Sequence, residues 1–78
     1  MQIFIKQMTG KEVTIDVKLK DTVADLKDRI YAKIGTAPDE QKLMFSGEAL
    51  SDDKTLEEYD IVQECTVYMV AVYQGGRE

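Results

Sequence analysis

The sequence predicts an α+β domain of two packed layers, and three observations carry that prediction. Apolar and polar residues alternate with period two on both sides of Thr9-Gly10, the period lengthens to three and four residues after Thr22, and alternation returns after Cys65. A hairpin, one helix and further strands leave a single helix to cover a single sheet face. The 78 residues, 44% apolar and 32% charged, suit one small domain.

In residues 1–7, Ile3 and Ile5 point one way while Gln2, Phe4 and Lys6 point the other. Parity therefore puts Phe4 at the surface, beside Gln2 and Thr14. Past the turn, Val13, Ile15 and Val17 share the face opposite Glu12, Thr14, Asp16 and Lys18, so a second strand returns antiparallel. A slip of one residue would expose all three of those apolar side chains, which fixes the register. Thr22 caps a helix with Asp25 three residues on, and Val23, Leu26 and Ile30 form its buried stripe. Gly35 supplies a left-handed stop and Pro38 opposes continuation, so the helix spans Val23 to Ile34. Gln41 to Phe45 follow, with Leu43 facing in and Met44 out, and Ser46-Gly47 turns the chain into a short strand near Leu50. Thr55 to Glu58 repeat the capping-box spacing over one short helical turn. The last strand runs at least from Thr66 to Val72, with Val67 and Met69 on one face and Tyr68 and Val70 on the other. Because the helix stripe must meet both the first and last strands, those two are expected side by side in the centre. Residues 1–72 thus form the domain, and 73–78, which have no periodic pattern, form a tail.

Composition narrows the function. Cys65 is the only cysteine and there is no histidine, so neither a disulfide framework nor a Cys/His metal site is expected. Cys65 is read as a packing or capping residue. The net charge of −5 has the wrong sign for a phosphate backbone, so nucleic acid is not an expected partner. Apolar runs fall far short of the ~20 residues that span a bilayer, and the N-terminus lacks a signal-peptide h-region. No membrane partner is expected, and the cytoplasm and nucleus are the expected compartments. With no convincing nucleophile and no paired carboxylates, the chain is expected not to be an enzyme and to need no cofactor of its own.

Met1-Gln2-Ile3-Phe4, Thr9-Gly10-Lys11, Asp21-Thr22, Pro38-Asp39, Thr55-Leu56, Tyr59, Ile61 and Gly75-Gly76 together resemble ubiquitin, without a gap from Met1 to Gly76. The resemblance implies a β-grasp fold: a mixed sheet wrapped around one main helix, with the first and last strands paired in its centre. Glu12, Ile15, Asp16, Val23, Arg29, Ser46 and Lys54 lean toward the neddylation (Rub) branch, whereas Gln2, Phe4, Thr14, Phe45, Leu56 and Thr66 lean toward ubiquitin itself.

Two consecutive glycines have a physical use at the end of such a chain. Without side chains they fit a narrow channel and let a thiol reach the terminal carbonyl. The resemblance implies that the Gly76 carboxylate is adenylated with ATP by an activating enzyme, passed on as a thioester through conjugating enzymes, and joined to target-protein lysines. Arg77-Glu78 would first have to be removed, which implies a processing protease cutting after Gly76. Val72 and Gln74 stand where ubiquitin carries basic residues, so a dedicated or Rub-type activating enzyme is expected rather than ubiquitin's own. Replacing an arginine's forked contact with an isopropyl group forfeits about 1.5–3 kcal/mol.

The family's apolar docking patch maps onto Met8, Met44, Tyr68 and Val70, with Lys6, Lys42 and Glu48 at its rim, and implies receptors for ubiquitin-like proteins as partners. Lys6, Lys11 and Lys33 match acceptor positions for chain formation, while Arg29, Glu48 and Gln63 occupy others without an amine nucleophile. Lys27 also matches one, but the resemblance implies a structural pair with Asp52. A monomer is expected. Two readings of function stay open: a conjugated modifier, and a non-conjugated interaction module using only the patch.

Overall fold

A computed structural model describes residues 1–72. Strand β1, Gln2–Gln7, and strand β2, Glu12–Asp16, form the expected antiparallel hairpin. Its turn works because Gly10 adopts φ +94°, a left-handed conformation that costs glycine little. The Gly10 N–H donates to the Gln7 carbonyl at 2.9 Å, and the Gln7 N–H to the Lys11 carbonyl at 2.8 Å.

Helix α1 runs Val23–Ile34, the span its signals predict. At its start the Thr22 hydroxyl accepts from the Asp25 N–H at 3.2 Å, and the Asp25 carboxylate accepts from the Thr22 N–H at 3.1 Å. At its end Gly35, at φ +85°, donates its N–H to the Tyr31 carbonyl. A 3-10 turn over Pro38–Glu40 leads into strand β3, Gln41–Phe45. Proline here opens a new turn as well as ending the old one, because its fixed φ suits a first helical position. The next strand, β4, is Glu48–Ala49 rather than a segment centred near Leu50. Positive φ at both Ser46 and Gly47 makes a two-residue turn, so pairing starts at once, Phe45 against Glu48, and ends before Leu50 turns into the core. A second 3-10 turn, Glu57–Tyr59, sits behind the predicted Thr55/Glu58 box, whose reciprocal bonds form at 3.1 and 3.2 Å. Strand β5 covers Thr66–Ala71. Val72 lies just past the ladder, its N–H donated to the Glu40 carbonyl at 2.7 Å.

The strands make one sheet of order β2-β1-β5-β3-β4. The first and last strands are its central parallel pair, with β5 antiparallel to β3. Helix α1 buries Val23, Leu26 and Ile30 against the inner face, where Ile3, Ile5, Ile15, Leu43, Val67 and Met69 meet Leu50, Leu56 and Ile61. Val13 is only half-buried, packed against the rim of this core, because β2 is an edge strand. Phe4 is also half-buried rather than exposed. Thr14 on one side and Thr66 on the other stand directly across from it and cover the flanks of the ring. Ile34 packs against the core, whereas Tyr31 remains half in solvent.

Gln41 was expected only to begin a strand; it is 4% exposed. Its amide nitrogen donates to the carbonyls of Thr36 at 2.8 Å and Lys27 at 3.0 Å, tying the segment after α1 to β3. Cys65 closes a turn: its Sγ accepts from the Val62 N–H at 3.4 Å while its own N–H donates to the Val62 carbonyl.

Candidate functional site

The sheet's outer face carries no helix, and parity alone decides what appears on it. Strand pairing then sets those residues side by side. Lys6 on β1 stands across from Tyr68 on β5, Tyr68 across from Met44 on β3, and Met44 across from Ala49 on β4. One row of four side chains therefore crosses four strands, each step ~4.8 Å. In the next row, Val70 faces Lys42. Met8, on the turn after β1, is 76% exposed and Tyr68 is 54% exposed, while Met44 and Val70 are half-buried among their neighbours.

Met44, Tyr68 and Val70, predicted from separate segments, are thus contiguous, with Met8 beside the end of β1. Lys6 and Lys42 flank them, whereas Glu48, expected at the rim, pairs with the inward Phe45 and so has the opposite parity to Ala49, off this face. Ala49 is a member the sequence reading missed. The signal was the Ser46-Gly47 dipeptide, since a two-residue turn fixes the register that brings Ala49 opposite Met44. Methionine thioethers and an amphipathic ring give this face an adaptable apolar centre, and its lysines give it a charged border.

The exit of β5 lies at the edge of the same face. Val72 is 41% exposed, and its backbone is held by Glu40. Gln74, Gly75, Gly76 and Arg77 lie outside the described residues. Lys6, Lys11 and Lys33 are exposed. Lys27 differs from them: its side chain is 13% exposed and its ammonium lies 2.8 Å from the Asp52 carboxylate, so the amine serves the join between α1 and the loop after β4.

A mixed five-stranded sheet with one helix across its inner face and an apolar patch on its outer face defines a β-grasp protein of the ubiquitin-like class. The chain belongs to the ubiquitin family, whose family model matches residues 3–72. It is 37% identical over 76 residues to the ubiquitin-like protein NEDD8 of Dictyostelium discoideum, covering 97% of this chain and 99% of that one. It is 34% identical to ubiquitin-like protein 1 of Schizosaccharomyces pombe, with 97% of both chains covered. Over 70 residues it is 39% identical to ubiquilin of Dictyostelium discoideum, where the likeness takes in 90% of this chain but 13% of that protein. These likenesses make it a ubiquitin-like modifier in class, with features of the neddylation branch, and the family they define is not a catalytic one.

Proposed function

We propose that this protein is a modifier conjugated to target lysines through the carboxylate of Gly76, after a processing protease removes Arg77 and Glu78. The observation that carries the proposal is likeness over nearly the whole chain to small ubiquitin-like proteins, of which 97–99% is covered, combined with a diglycine that begins four residues beyond β5. The chemistry asks little of the chain itself. An activating enzyme consumes ATP to make the Gly76 acyl adenylate, releasing pyrophosphate. A thiolate then displaces AMP to form a thioester, and the acceptor amine finally displaces the thiolate to give an isopeptide bond. The modifier supplies an unobstructed acyl group and a surface by which conjugating enzymes and receptors hold it. It acts as a monomer in the cytoplasm and nucleus, without a cofactor of its own.

Val72 favours a Rub-type or dedicated activating enzyme. It is exposed next to the exit of the tail, where an apolar side chain offers an enzyme no forked donor. The row Lys6–Tyr68–Met44–Ala49, with Val70 and Met8, is the surface proposed to receive helices or zinc-binding modules of receptors.

The test is a denaturing immunoblot of N-terminally tagged protein expressed in its own cells. A ladder above the free protein that disappears in Gly76→Ala is expected. Free protein alone, with Gly76 intact, would leave a binding module that uses only the patch.

A further inference from the structure

The four methionines divide by the part of the fold they serve. Met69, on the inner side of β5, is 2% exposed, and Met1 packs against the core with 13% of its side chain in solvent. Met8 and Met44 belong to the outer patch. Met8 is 76% exposed on the hairpin turn, and Met44 stands across from Tyr68 on one side and Ala49 on the other. Alanine's single methyl is too short to cover a thioether and no helix lies over this face, so Met44 keeps part of its surface in solvent. Cys65, the remaining sulfur, packs against the core and is no part of the row. A thioether is apolar until it meets a peroxide. Its sulfur then attacks one peroxide oxygen, the O–O bond breaks, and the sulfur is oxidised by two electrons to a sulfoxide while hydrogen peroxide is reduced to water.

We infer that Met8 and Met44 are modification sites, at which a peroxide turns the outer face from receptor-binding to non-binding and a thiol-dependent sulfoxide reductase turns it back. The inference rests on the patch reading given above and adds a means of regulating it. Reduced, the two flexible thioethers supply the adaptable apolar centre of the face. A sulfoxide at Met44 puts a strong acceptor oxygen in the middle of the row, where the apolar side chains of a docked receptor offer no donor, so docking would bury that oxygen unsatisfied. At Met8 the same change acts at the margin, where water still reaches the oxygen, and its effect is smaller. Neither change touches the core, because neither residue is among the buried ones. At Met69 the oxygen would enter the packed interior beside Leu43, and burial keeps peroxide from that sulfur. Separation of the two kinds of methionine thus makes oxidation a change of recognition without loss of fold. Reversal balances as well: the reductase returns the sulfur to a thioether, the oxygen leaves as water, and two thiols become a disulfide.

The full-length chain is treated with hydrogen peroxide and followed by peptide mapping, with a helical ubiquitin-receptor module as the binding probe. Met8 and Met44 should each gain one oxygen at least tenfold faster than Met69. The chain oxidised at both should keep its cooperative unfolding transition, bind the module at least tenfold more weakly, and recover its affinity after treatment with methionine sulfoxide reductases. A variant carrying both Met8→Leu and Met44→Leu, swaps of nearly equal volume, should bind the module before and after peroxide alike. Oxidation of Met44 no faster than that of Met69, full affinity in the oxidised chain, or an equal loss of affinity in the leucine variant would each overturn the inference while leaving the patch in place. No binding of the module by the reduced chain, or unchanged binding by Met44→Ala, would instead overturn the patch reading and the inference with it.

Discussion

The two faces of this sheet obey different rules. On the inner face the central strand positions meet α1 or a loop that packs beside it, and Ile3, Ile5, Ile15, Leu43, Val67 and Met69 are almost wholly withdrawn from water. Volume and apolarity are fixed there by packing, so the positions read as a β-grasp core whatever the protein does. On the outer face no helix covers the strands, and lysine, tyrosine, methionine and alanine share one row. Stability constrains that face weakly, which frees it to carry recognition. A residue's parity along its strand therefore tells which kind of damage its loss will do.

The largest effect should come from the inner face. Leu26, fully buried on α1, replaced by alanine leaves a cavity at the centre of the core and should cost ~3–5 kcal/mol, lowering Tm by more than about 10 °C in calorimetry. Next comes Gln41, a polar residue inside that face. Gln41→Glu replaces its amide donor with an acceptor facing the Lys27 and Thr36 carbonyls, and should cost about 2–3 kcal/mol in urea unfolding. A neutral result would mean that the tie between α1 and β3 does not support the fold. Smallest in stability is the outer face: Met44→Ala should change unfolding by about 1 kcal/mol or less, yet weaken binding to receptor modules at least tenfold by titration calorimetry. Unaltered affinity would remove the patch from the account.

What could be read from the sequence follows the same division. α1 was legible to the residue because each end carries a local signal, the Thr22/Asp25 box and the left-handed Gly35. The core stripe was legible because periodicity is local too. β4 was misplaced because two residues carry no period, and Leu50, its apparent centre, is where the chain leaves the ladder. Gln41 gave no sign of burial, since its amide nitrogen is satisfied by carbonyls 5 and 14 residues away in the chain, while its Oε1 is buried without a hydrogen-bond partner. Parity put Phe4 on the outer face, but it is half-buried there rather than exposed, because its two threonine neighbours come from strands on opposite sides and strand order is not a local property. The same limit applies to the site. Parity turned Met44, Tyr68 and Val70 outward, but only the β1–β5–β3–β4 order puts them in contact with Lys6 and Ala49.

If the body is the handle and the diglycine the reacting end, enzymatic charging of the chain ending at Gly76 is decisive. Incubated with ATP and a Rub-type activating enzyme, that chain should form a thioester seen as a reductant-sensitive adduct, and with ubiquitin's activating enzyme it should form at least tenfold less. Failure of both enzymes to charge a folded chain with a free Gly76 carboxylate would contradict the account.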